Sequence, residues 1–177
     1  MRCSFFLVCM SLFVSLSGCT EDANYNGNTN TEVISISSND DAIEDGSETV
    51  FYFDFDFDEN AVFFDEGEVQ LVVKLPRELS FVRDSAVINA AGSDNYEVAP
   101  YVLQCTDGSS FLAFSLDSGD LDNASSPSDA EAQLKMTLQG RRPGIYSVVQ
   151  ATASADYFSF GCTKQFNPDT FYSVVVY

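Results

Sequence analysis

The sequence predicts an all-β fold, a sandwich or barrel of short strands. Apolar residues alternate with polar ones at period two over short segments, as half-buried strands require. Clusters of Gly, Asp, Asn, Ser and Pro separate those segments. No stretch carries a long 3.6-residue apolar period.

The first strand of the predicted domain lies in FYFDFDFDEN, residues 51 to 60. Phe51, Phe53, Phe55 and Phe57 fall on one face of such a strand, and Asp54, Asp56 and Asp58 on the other. A second run follows after Asp65-Glu66-Gly67, with Val69, Leu71, Val73 and Leu75 in alternation. Further turns sit at Gly92-Ser93-Asp94-Asn95 and Thr106-Asp107-Gly108, the latter ahead of Leu112 and Phe114. Ala132, Leu134, Met136 and Leu138 form the next face, and Gly140-Arg141-Arg142-Pro143-Gly144 turns into Ile145 to Ala151. Phe171 to Tyr177 closes the chain. Residues 49–177 suffice for one core of this kind.

Residues 1–18 read as a signal peptide outside that core. Arg2 precedes an apolar run from Phe5 to Leu16, too short to span a bilayer and of h-region length. The run ends in Leu16-Ser17-Gly18-Cys19, which resembles the lipobox of bacterial lipoproteins. The resemblance implies cleavage behind Gly18 and lipidation of Cys19. Several acyl chains on that cysteine make attachment stable, at about 0.8 kcal/mol per buried CH₂. Enteric-type lipoproteins with aspartate after the cysteine stay in the inner membrane. Thr20 stands there, so the resemblance implies an outer-membrane anchor and a periplasmic or cell-surface location.

Residues 19–48 read as a lipidated, flexible acidic tether with a short strand possible at Val33 to Ile36. Their Asn, Ser, Thr, Asp and Glu leave little to bury against the entropy of ordering. Acidic residues without basic ones from Thr20 to Glu68 extend the tether by self-repulsion. The formal charge is −19, and loss of Arg2 with the signal makes it −20. Nucleic acid is excluded as a partner, because a phosphate backbone demands a basic face. Anionic head groups repel such a chain too, so the membrane is reached through the lipid.

Cys3 and Cys9 leave with the signal and Cys19 takes lipid, so Cys105 and Cys162 remain. An even remainder in an exported chain reads as one disulfide. Each of the two continues an alternating face: Tyr101, Leu103, Cys105 and Phe158, Phe160, Cys162.

LPRELSFVRDSA, residues 75 to 86, resembles a signature of immunoglobulin-like repeat domains on bacterial surface proteins. Leu75, Pro76, Leu79, Phe81, Val82, Ser85 and Ala86 carry the likeness, and PGIYSV at 143 to 148 looks like a late strand of such domains. Cohesin-like sandwiches are similar in pattern. The resemblance implies an immunoglobulin-like β-sandwich serving as a spacer, adhesion module or assembly part. It carries no catalytic residue, and the Phe-Asp strand and the cysteine pair lie outside the signature.

The acidic strand admits two readings, a solvated face or a calcium site. Neighbouring aspartates at i and i+2 lie roughly 6.6 Å apart, so two can lean onto one ion, while three span about 13 Å and cannot. The EF-hand pattern fails, with Glu59 where glycine is needed and Asp65 at its last position. A second acidic segment, DSGDLDNASSPSD at 117 to 129, offers Asp117, Asp120 and Asp122 to a hard cation and otherwise reads as a polar loop. The solvated reading comes first for both.

Chemistry is otherwise sparse. The chain has no histidine, which removes Ser-His-Asp and Cys-His catalysis and every His-containing metal site. No phosphate loop or dinucleotide fingerprint occurs. Carboxylates are abundant, but nothing marks a glycosidase pair. Tyr146, Tyr157, Tyr172 and Tyr177 fall on the outer side of predicted strands, where tyrosine can stack on sugars or anchor a protein. The charged strands argue against a membrane barrel. The sequence therefore predicts no enzyme and no obligate cofactor. It predicts a lipid-anchored sandwich that binds a protein or glycan or serves as a structural module. A calcium-dependent adhesion or structural module is the alternative.

Overall fold

The computed structural model describes residues 31–57, 68–90, 95–117, 131–154, 161–163 and 170–177. All regular structure among them is strand, in two six-stranded sheets. The first sheet runs β1 (Thr31–Ser38), β3 (Glu48–Phe57), β10 (Glu131–Gly140), β6 (Val87–Ala90) and β7 (Tyr96–Glu97), with β5 (Leu79–Phe81) also on β10. The second runs β2 (Ala42–Ile43), β12 (Thr170–Val176), β11 (Gly144–Ser154), β4 (Glu68–Leu75), β9 (Ser110–Asp117) and β8 (Tyr101–Gln104). Among the described strands only the β2–β12 pair is parallel.

The period-two pattern sets which face is buried. Phe51, Phe53 and Phe55 of β3 point between the sheets, all but sealed from solvent. Leu134, Met136 and Leu138 of β10 flank them, and Leu71, Val73 and Leu75 of β4 face them from the other sheet. Full burial of each such side chain is worth about 1.5–3 kcal/mol. Tyr172 meets Phe51 edge to face, ring centroids 5.9 Å apart.

The domain begins earlier than the sequence suggests. Residues 31–43, assigned there to the tether, form β1 and β2, one in each sheet. Val33, Ile36 and Ile43 are buried in the core, and β1 pairs with β3 from Thr31↔Phe57 to Ser38↔Phe51. A few apolar residues in a polar segment suffice when an existing strand edge supplies the hydrogen bonds. Thr170 Oγ1 donates to the Val33 carbonyl, joining β12 to β1.

One edge of β10 is shared by two short strands. β5 pairs with residues 138–140 and β6 with residues 132–135. Between them Val82 N donates to Thr137 O at 3.0 Å, and Thr137 N donates to the Ser85 hydroxyl at 3.0 Å. That hydroxyl donates in turn to Val82 O at 2.6 Å. Ser85 thus stands in for a strand carbonyl, so no backbone group of Thr137 is orphaned. Ala86 beside it is fully buried. Residues 83 and 84 are thrown outward, with Asp84 in the left-handed region at φ 58°.

Cys105 and Cys162 form a disulfide, Cα atoms 5.5 Å apart. Leu103 and Cys105 pack with Val72, Phe111 and Ala113 in a small cluster apart from the main core. The face read from Tyr101, Leu103 and Cys105 is therefore the outer face of its sheet, and Tyr101 at its end is exposed. The bridge spans 57 residues, worth about 4 kcal/mol on the chain-entropy model.

Tyr172 ties β12 to the turn before β2, its hydroxyl donating to Asp41 Oδ1. That hydrogen bond, then burial, then the Asp41 charge push its pKa up to about 12 from 10.0. The folded value lies above the unfolded one. The stabilisation is complete below pH 10.0 and is lost as pH rises through about 12. Phenolate absorbance should show a tyrosine ionising near pH 12, and Asp41→Ala should lower that value.

Candidate functional site: an arginine-lined cleft

The strand directions give the sandwich two poles. At one, β3 ends, β10 begins, and Asp56 lies in register between Glu32 of β1 and Glu131 of β10. In the second sheet Glu68 pairs with Asp117 at the same pole. At the opposite pole β4 leads through Pro76 into β5, and β10 turns through residues 141–143 into β11.

The predicted acidic site is only partly assembled. Asp54 accepts hydrogen bonds on both carboxylate oxygens, from the Ser35 hydroxyl and from Gln133 Nε2 at 2.7 Å. Neighbouring strands hold that carboxylate, which weakens it as a free ligand. Asp56 and Asp117 are placed by register in different sheets. Asp58, Asp120, Asp122 and Cys19 lie outside the described residues. Among those described, no group of three or more His, Cys, Asp or Glu is arranged to hold a metal ion. Of the tyrosines, Tyr177 is exposed, while Tyr172 is half-buried against the core rather than on the outer face. Tyr157 lies outside the described residues.

The opposite pole carries a feature that the sequence reading did not single out. A cleft of about 730 Å³ opens there, lined by Arg77, Arg83, Arg141 and Arg142. These are all the arginines of the chain after Arg2. Four of eight basic residues in a chain of net charge −19 thus converge on one opening, against the carboxylate of Asp84 in its lining and that of Glu78, which pairs with Arg77. The signal was in the spacing. Arg77 and Arg83 bracket LSF, and Arg141-Arg142 sits in the turn that follows β10, the strand LSF pairs with.

Each arginine is placed by local backbone chemistry. Pro76 opens a turn closed by Leu79 N on Pro76 O at 3.1 Å, which carries Arg77. The break at Ser85 throws out Arg83. The 141–143 turn docks through Arg141 N on Glu78 O at 2.7 Å. Arg77 Nε bonds Glu78 Oε1 at 2.9 Å and Arg141 Nε bonds Ser80 Oγ at 2.9 Å. Those bonds orient the guanidinium forks. Arg83 and Arg142 are exposed, with no hydrogen bond or ion pair to other described residues.

Below the rim the lining mixes apolar residues with Ser80, Gln104 and Ser110. Leu79, Phe81, Val102 and Leu112 line the cleft, with Leu79 and Leu112 belonging to the buried core. It is a gap between the sheets, where Val102 and Gln104 of β8 lie in register with Leu112 and Ser110 of β9. Guanidinium forks over a largely apolar floor suit an anion with an apolar body.

Two glycines of this pole sit where a side chain would not fit. Gly140 lies so close to β2 that a Cβ would stand 2.9 Å from Glu44 O. Gly108, at φ +88°, closes the turn in which Asp107 caps Ser109. The hydrogen bonds from the Ser109 hydroxyl and N–H hold the Asp107 carboxyl below its usual pKa. A Cβ on Gly108 would meet Arg77 Cβ at 3.0 Å. Gly108→Ala should therefore cost about 1–2 kcal/mol for the left-handed backbone alone. It should also displace Arg77. Thermal melting measures the first effect, and guanidinium NMR of the Arg77 side chain the second.

No family model and no curated relative matches the sequence. Among solved structures, the major pilin SpaA of Corynebacterium diphtheriae aligns with TM-score 0.58 and 13% identity over 84% of this chain and 37% of the pilin. The fimbrial protein FimP of Actinomyces oris aligns with TM-score 0.53 and 8% identity, over 83% and 37%. The N-terminal domain of a Streptococcus gordonii adhesin aligns with TM-score 0.50 and 10% identity, over 80% and 32%. The chain spans about a third of the length of each. The shared feature is the fold, an immunoglobulin-like β-sandwich.

Proposed function

We propose that the chain is a lipid-anchored, non-catalytic module of the bacterial envelope that holds its arginine cleft towards a protein or glycan partner. The observation carrying this reading is polarity. β1 starts at the acidic pole, with Thr31 opposite Phe57, and the cleft lies at the other. Eleven residues separate Cys19 from Thr31, an extended reach of about 40 Å at most. An anchor at Cys19 sets the acidic pole towards the membrane and the arginines away from it. Repulsion between its acidic side chains and anionic head groups holds the domain off the membrane surface, at the reach of the tether. Thr20 after the lipidated cysteine supports the outer membrane. The pilin, fimbrial and adhesin settings of the fold fit a surface role. Palmitate should label the chain, and Cys19→Ala should abolish the label and release the protein from membranes. Unlabelled protein that fractionates identically with and without Cys19 would sink the anchor.

A second reading, a calcium-dependent module, draws on the register row Glu32, Asp56 and Glu131. Adjacent like charges on neighbouring strands oppose the fold, and a bound cation relieves them. Asp58, Asp117, Asp120 and Asp122 would extend the ligand set. Under this reading, Ca²⁺ at a hundred times its dissociation constant stabilises by about 2.7 kcal/mol. Melting should then shift upward by several degrees on going from EDTA to Ca²⁺, and Asp56→Asn should remove the shift. An unchanged melt leaves a solvated acidic pole.

A further inference from the structure

We propose that the arginine cleft recognises an extended acidic segment of another protein, one in which carboxylates alternate with apolar side chains. This deepens the display reading, on which it rests only for where the partner is met.

Three observations select a peptide. The floor is largely apolar: Leu79, Phe81, Val102 and Leu112 suit leucine- or valine-like side chains. The rim is guanidinium, and each planar fork takes one carboxylate by paired hydrogen bonds. Arg83 and Arg142 have their whole forks to offer. Arg77 and Arg141 are already oriented through Nε. Lastly, β8 is the end strand of its sheet among the described residues, and it forms one wall of the cleft. Cys162 Sγ lies 3.8 Å from Gln104 O at one end of its outer edge, and the Val102 end can add a strand through main-chain hydrogen bonds, which a polysaccharide cannot make.

An added strand projects side chains alternately to its two faces, one set towards the floor and the other outward. An alternating acidic and apolar sequence therefore satisfies floor and rim together. Asp84 on the rim repels a uniformly acidic ligand and favours one whose carboxylates are spaced. The cleft volume of about 730 Å³ lies within the usual range for ligand sites, roughly 300–1,000 Å³. The net charge of −19 repels acidic partners at a distance, but screening over about 8 Å at physiological salt leaves the arginines dominant at contact.

The test uses the full chain in detergent and a fluorescent, end-capped Asp-Leu repeat peptide, read by anisotropy. Saturable binding is expected. It should weaken at least about tenfold when Arg83→Glu and Arg142→Glu are combined, or when Asn replaces Asp in the peptide. An Asp-Ser repeat should also bind more weakly, for want of apolar anchors. Lys135→Glu, exposed on the other sheet and outside the cleft, should leave binding unchanged. Both arginines are exposed, and melting checks that the double variant remains folded. Absence of saturable binding overturns the proposal, as does undiminished binding by a folded arginine variant. Equal competition by oligogalacturonate would reassign the cleft to an acidic glycan. Arginine-dependent self-association in place of peptide binding would reassign it to a second copy of this chain. Cys19→Ala should bind the peptide as the native chain does, so failure of the anchor and failure of the cleft are told apart.

Discussion

Strand β10 has two edges to satisfy, and the way it satisfies the second organises the molecule. One edge takes β3 along nearly its whole length. The other receives β5 and β6, and the gap between them is closed by the Ser85 hydroxyl on Thr137 N. Burying that N–H unpaired would cost about 1–3 kcal/mol. The serine removes the penalty and permits the chain to leave the sheet for a few residues. Without that excursion Arg83 would be one more residue of a strand. With it, the arginine joins Arg77 from the preceding turn and Arg141 from the turn that β10 itself enters.

The core and the cleft are therefore products of the same ladder. Leu134, Met136 and Leu138 point inward from β10 and fix its face. Leu79 and Phe81 follow from the β5 pairing and supply part of the cleft's floor. The two sheets diverge where only short strands remain, and the gap leaves apolar wall exposed beneath charged rims. A fully closed sandwich would have hidden Val102, which is 44% exposed.

Much of the fold was legible because strand alternation is a local signal. FYFDFDF states its buried face outright, as do AQLKMTL and VQLVVKL. The cysteine pair was readable from arithmetic alone. The early strands were harder, since Val33, Ile36 and Ile43 are too few to announce a core and depend on edges made by distant residues. Tyr172 was misassigned to the outer face because its own face becomes plain only once Val174 and Val176 are seen beneath it. The cleft was least legible. Its arginines lie in two segments some sixty residues apart, and only the β5–β10 pairing brings those segments together. The scarce cations carry more of the spatial information than the abundant acid does.

The placement of β1 has a mechanical meaning. Its first residue lies at one pole and the arginine rim at the other, with β3 and β10 running between them as antiparallel neighbours. Tension drawn between Thr31 and Arg141 acts along the strands, at right angles to the inter-strand hydrogen bonds. The bonds of each ladder then share the load in shear, where a pull across the sheet would open them singly like a zip. Loaded from pole to pole, the sandwich is strained in its stiffest direction.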